Sequence, residues 1–202
     1  MFYPADTNAH GLRHDPFKAI VAPRPIGWIG TRGRDGSFNL SPYSFFNIVS
    51  DSPKIVMFSS SGRKDSLRNA EETGVFTASL ASRHLAAEVN ASSVTVPYGM
   101  DEFEIAALTP VMGVLVGAPY VGQAHAALEC RVTEIRQPTV LGGRKAEAYM
   151  VFGQVVGIHI RDEVIRDGRI DMGLLRPIAR MGYRDYADGG TDVFEMTRPS
   201  TP

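Results

Sequence analysis

Between Tyr149 and Ile160 the chain is a long run rich in Val and Ile, broken only by Gly153 and Gly157, and no other stretch narrows the fold as far. Glycines four apart in a strand share one face, where the absent side chains permit sharp coiling or the close approach of a second backbone. Long coiled strands close barrels. Upstream, from Ala124 to Arg136, Leu128, Cys130 and Val132 alternate with Glu129, Arg131 and Thr133, which predicts a half-buried strand with Cys130 pointing inward.

A second informative stretch runs from Ser59 through Ser60, Ser61, Gly62, Arg63, Lys64, Asp65, Ser66, Leu67 and Arg68 to Asn69. Lys54 to Phe58 before it reads as a short buried strand. After it, Asp65 or Ser66 caps a helix to about Thr73, with Gly74 as the stop. First-turn amides lack intrahelical partners and carry the positive end of the helix dipole, so a phosphate is favoured there, and Arg63 and Lys64 add two cations. Taken alone, an ordinary strand-to-helix loop with solvated charges fits these residues equally well.

The remaining segments follow from their patterning. Ile26 to Thr31 and Ser37 to Leu40 flank the turn Arg34-Asp35-Gly36 and predict a hairpin, with Trp28 on its first arm as core or as the wall of a flat ligand. Asn39 to Asn47 gathers Ser41, Tyr43, Ser44, Phe45 and Phe46 around Pro42, which is expected to end regular pairing and expose amides and hydroxyls. Val75 to Leu80 alternates as a strand. Ser82 opens a helix to Asn90, and Asp101 to Glu104 is a capping box. His10 and His14 lie four apart without a third ligand in register, so solvated histidines are the better reading.

With 202 residues, 44% hydrophobic content and a net charge of -1, the chain fits one domain over residues 17–186, an N-terminal arm over 1–16 and a loose tail over 187–202. The balanced charge gives no case for nucleic acid or an anionic membrane surface, and no apolar run approaches the ~20 residues of a membrane span. A single cysteine, Cys130, rules out an intrachain disulfide and fits a reducing cytoplasm. The G-x-S-x-G, G-x-x-x-x-G-K-[ST] and G-x-G-x-x-G patterns are all absent, so a serine hydrolase of that type, a P-loop enzyme and a Rossmann fold lack their usual signals, and no metal site, nucleophile or general acid is assigned.

The stretches Pro23–Trp28, Asn39–Asn47, Lys64–Asn69, Asp101–Phe103, Leu128–Cys130 and Arg176–Arg180 resemble, in order and spacing, the flavin reductase-like family of the FMN-binding split barrel. That family includes flavoredoxins and the reductase components of two-component flavin monooxygenases. The resemblance implies a mostly β fold, an antiparallel Greek-key-like closed barrel with short peripheral helices, usually a homodimer with FMN near the subunit interface. It implies that Lys64, Ser66 and the amides around Arg63 and Asp65 hold the FMN phosphate, and that Ser59 and Ser60 reach the ribityl chain or ring edge. Ser41, Tyr43 and Ser44 would meet the ring, with Trp28 near its face and Arg180 closing the site. Ser66 stands where the family often has threonine and keeps the hydroxyl. The implied activity is hydride transfer from NAD(P)H to flavin and on to free flavin, a monooxygenase, a quinone or another acceptor. The alternative is a flavin- or haem-binding carrier or sensor on the same barrel.

Overall fold

A computed structural model describes residues 1–199 of the chain. A short helix α1 (Phe17–Ile20) leads into β1 (Arg24–Pro25), β2 (Gly27–Arg32), β3 (Phe38–Tyr43), β4 (Phe46–Asp51) and β5 (Lys54–Ser61). Then come α2 (Asp65–Thr73), β6 (Val75–Leu80), a 3-10 turn at Arg83–Leu85, α3 (Ala86–Ala91), α4 (Glu102–Ile105) and the small hairpin β7 (Pro110–Met112) and β8 (Pro119–Val121). The long strands β9 (Ala126–Arg136) and β10 (Ala148–Ile160) follow, with β11 (Ile165–Arg166), β12 (Arg169–Ile170), α5 (Met172–Leu175), β13 (Ile178–Arg180) and β14 (Tyr186–Asp188) at the end.

Seven strands form one antiparallel sheet in the order β3-β2-β6-β9-β10-β5-β4. Its two edge strands, β3 and β4, are consecutive in the chain and separated only by Ser44 and Phe45. A sheet whose outer edges lie two residues apart must curl, and the result is a half-barrel split at that seam. Gly153 and Gly157 carry the curvature. The β9–β10 register shifts between Phe152 and Gly153 and again between Val155 and Gly157, and such bulges sharpen twist. A side chain on Gly153 would begin 2.4 Å from the Phe76 ring, so the strand passes close over that ring.

The sheet buries both faces. In β2, Trp28 packs with Leu40, Leu85, Val89, Phe103 and Ile178 on one side, whereas its neighbour Ile29 joins Phe58, Leu67, Phe76, Cys130 and Val151 on the other. That division is the period-2 geometry of a strand. Pro42 does not end pairing as expected: β3 continues through it, with Pro42 opposite Trp28. As an edge strand, β3 has room for a residue that cannot donate on its open side. At the C-terminus, β14 pairs with β13 through Asp188, so strand pairing enters the stretch expected to be loose, and residues 200–202 of that stretch lie outside the described residues. No helix among the described residues is long and apolar enough to cross a membrane.

Candidate functional site

Where β3, β5 and the start of α2 meet, a cleft of about 580 Å³ opens. Ser59 and Ser61 line it while Ser60 between them is fully buried, its Oγ donating to the Gly62 carbonyl at 2.9 Å. Sequence reasoning paired Ser59 with Ser60. Because β5 extends to Ser61, the alternation of strand side chains pairs Ser59 with Ser61 instead.

Helix α2 starts one residue earlier than its sequence cap suggests. Lys64, in extended backbone, is the N-cap, and its side chain does not cap the helix but lines the cleft. The first-turn amides are therefore left without a side-chain cap. At the far end Gly74 takes the left-handed conformation, φ 72°, as the sequence predicts. Asp65 is the first helical residue, not the cap, and burial pushes its carboxyl above the ordinary range while Arg68 opposes the shift.

Ser66 does not reach the cleft. Its side chain is buried and donates to Asn39 Oδ1 at 2.7 Å, and Asn39 Nδ2 in turn donates to Glu102 Oε2 at 3.0 Å. Thr31 Oγ1 donates to the same Asn39 oxygen and accepts from Asn69 Nδ2, so β2, β3, α2 and α4 share one buried polar network. Below the cleft, this network holds the first turn of α2 in place. Trp28 also turns inward: it is fully buried and gives its indole N–H to Ser92 Oγ at 2.8 Å. Arg63 points away from the cleft, forking onto Glu71 and lying over the Tyr149 ring. For Ser66 and Trp28 the reason is core demand, and for Arg63 it is a carboxylate closer to hand.

Ser41, Tyr43 and Ser44 do line the cleft, together with Ser59, Lys64 and Arg180. Tyr43 is buried against Phe58, and its hydroxyl has no hydrogen-bond partner of good geometry among the described residues. Burial pushes its ionisation upward, so it is a neutral donor.

The other wall was not visible in the sequence. β1 pairs with β13, setting Arg24 opposite Arg180. The buried Arg24 guanidinium donates to the carbonyls of Lys18, Val21 and Met181, tying α1 and the residue after it to the C-terminal segment. Lys18, His14, Tyr183 and Tyr186 thereby join the cleft lining. The signal that finds them is strand pairing between residues far apart in the chain, which no local pattern carries.

Away from the cleft, the tip of the β7–β8 hairpin is anchored by its own chain. Glu129 accepts from the amides of Val114, Leu115 and Val116 and from His159 Nε2, and His159 stacks on Tyr120. This apolar loop is thus held from within, though Val114 and Leu115 remain exposed. Cys130 is buried and its thiol is pushed up to about 12, chiefly by burial, which leaves no thiolate for nucleophilic work. Among the described residues no group of His, Cys, Asp and Glu is placed to hold a metal ion.

The sequence model of the flavin reductase like domain matches residues 21–175. An uncharacterised protein of Deinococcus radiodurans is 37% identical over 198 residues, spanning 92% of this chain and 84% of its own length. Nitrilotriacetate monooxygenase component B from Bacillus cereus superposes with a TM-score of 0.83 at 27% identity, over 98% of each chain. Flavoredoxin of Desulfovibrio vulgaris superposes with a TM-score of 0.73 at 24% identity, over 99% of this chain and 97% of its own.

Proposed function

The chain belongs to the flavin reductase-like family, and from that premise we propose that it is an FMN-binding oxidoreductase passing electrons from NAD(P)H to an acceptor. The observation that carries this reading is the start of α2, where Lys64 lines a cleft with Ser59 and Ser61 on its wall and the helix's first-turn amides have no side-chain cap. That donor set suits one terminal phosphate and the hydroxyls of a ribityl chain. Ser41 and Ser44, beside Tyr43 in the lining, offer polar groups to the edge of a planar ring. Arg180 closes the mouth. Bound FMN supplies the redox chemistry, and this chain's residues bind it, orient it and keep water from its ring.

The acceptor in this reading is free flavin, a monooxygenase partner or another oxidant, and the setting is the cytoplasm. We take the protein to act as a homodimer. Edge strand β4 supports this, with Ile48 69% exposed and Val49 47% exposed beside the exposed Phe45, an apolar edge that a second copy would cover. Light scattering should give twice the chain mass, and a monomer at micromolar concentration would remove that part.

The test of the activity is two-stage. FMN and FAD are titrated separately into the purified protein, with tighter FMN binding expected because the cradle fits one terminal phosphate. NADH and NADPH oxidation is then followed with FMN bound. Absence of any flavin absorbance change overturns the flavin reading, whereas tight FMN binding without nicotinamide oxidation makes the protein a carrier or sensor.

A further inference from the structure

We propose that the cleft holds a second anion subsite, in which Lys18 and Arg180 receive the negative group of an aromatic co-substrate. The proposal rests on the flavin reading above and concerns the wall away from the phosphate cradle, where that reading uses Arg180 only to close the mouth. The chain as a whole carries a net charge of -1, yet Lys18, Arg24, Lys64 and Arg180 all line this one cleft. Against them stands one carboxylate, Asp15, whose Oδ1 already accepts from the Phe17 amide. No ion pair among the described residues engages any of the four cations.

Some arginines elsewhere are paired. Arg63 meets Glu71, Arg68 meets Glu72, and Arg176 meets Asp188. Arg180, only four residues after Arg176, has neutral partners instead, the Tyr183 carbonyl and the Tyr186 hydroxyl. Those two contacts use two of its five N–H groups, and the others stay available to an anion. One terminal phosphate accounts for Lys64. It does not account for Lys18 and Arg180, which sit on different elements.

The backbones that carry the two cations are tied to one another, which lowers part of the ordering cost of binding between them. The Arg24 guanidinium bridges the Lys18 and Met181 carbonyls, each at or next to a cation-bearing residue. Gly182 packs so closely on Ala19 that an added Cβ would lie 2.5 Å from it. Aromatic surface adjoins the charges: Arg180 lies over the Tyr186 ring at 4.6 Å, and Tyr183 stands 5.6 Å from His14. A planar ring bearing a carboxylate or a diphosphate matches both features. Two sources share that chemistry, a pyridine dinucleotide with its diphosphate and an aromatic carboxylate serving as acceptor.

The experiment uses FMN-saturated protein and calorimetric titration with NAD⁺ in one arm and benzoate in the other. At least one probe should bind. Lys18→Glu should weaken it about tenfold or more, and Arg180→Lys, which keeps the charge but loses the planar fork, should weaken it less. Each variant is titrated only after flavin absorbance shows it saturated with FMN, so a change in FMN affinity does not enter the comparison of probe affinities. Binding of benzoate alone assigns the subsite to an acceptor, and binding of NAD⁺ assigns it to the donor. If FMN binds and neither probe does, or both variants bind the probe as wild type does, the second subsite is overturned alone. If FMN itself does not bind, the flavin reading fails and this inference fails with it.

Discussion

Glu102, beneath the start of α2, and Glu129, beneath the 113–118 loop, are 4% and 1% exposed, yet the first carboxyl is pushed above the ordinary glutamate range while the second is held below it. Burial acts on both in the same direction, raising them. The difference lies in the donors. Glu102 takes the Asn39 amide and the Leu40 N–H on one oxygen, Oε2. Glu129 spreads its bonds over both oxygens, from His159 and the Val114 amide on Oε1 and from the Leu115 and Val116 amides on Oε2. A carboxylate saturated by N–H groups stays charged in the interior, and one with fewer donors drifts toward its acid form. The first arrangement clamps a loop, and the second supports the start of α2 without needing full charge.

The largest expected effect breaks the clamp. Glu129→Gln leaves three amides and an imidazole facing a neutral group with a single acceptor oxygen, and losing one side of such a buried pairing costs roughly 3 kcal/mol. Urea melts at pH 7 measure it, and a loss under about 1 kcal/mol would mean that the clamp does not hold the fold. FMN affinity should be nearly unchanged, since the loop lies outside the cleft.

Lys64→Ala should do the reverse. A charge-assisted hydrogen bond is worth about 1.5–3 kcal/mol, so FMN should weaken by roughly one to two decades while the apo melting curve moves by less than about 0.5 kcal/mol. Lumiflavin, which has the ring without the phosphate, should bind the variant as it binds wild type. Equal loss of both flavins would remove Lys64 from the phosphate site.

Acid titration sharpens the contrast further. Because the Glu129 pKa is lowered on folding, its contribution is present above the ordinary 4.5 and is lost as pH falls through the folded value. For Glu102 the sign is opposite: a raised folded pKa gives stability present below 4.5 and lost as pH rises through the folded value. Wild type should therefore lose more stability between pH 5 and 3 than Glu129→Gln does. Parallel stability curves would refute the assignment of the acid sensitivity to Glu129.

The smallest effect is expected from Glu102→Gln. An amide keeps the acceptor for Asn39 and Leu40 and removes the ionisation that burial opposes, so stability at pH 7 should change by less than about 1 kcal/mol. A loss comparable to that of Glu129→Gln would erase the distinction between the two buried acids.

By itself the sequence determined what is local or periodic. The strand, turn and helix from β5 to α2, the Gly74 stop and the existence of strands β6 and β9 follow from residues within a few positions of one another, though the expected alternation does not hold where Thr77, Ser79 and Glu129 are buried. The motifs in their order were enough for the family, and Gly153 and Gly157 marked the strand that bends. Tertiary structure alone decided which hydroxyls face the cleft. Ser60 and Ser66 are as polar as Ser59 and Ser61, but the buried network and the core claim the first two. Trp28 was equally undecided until Ser92 took its N–H. The second wall of the cleft depended on contacts such as Arg24 to Met181, which are 157 residues apart. Local propensity fixes a residue's backbone, but which way its side chain is spent depends on partners that only long-range pairing brings within reach.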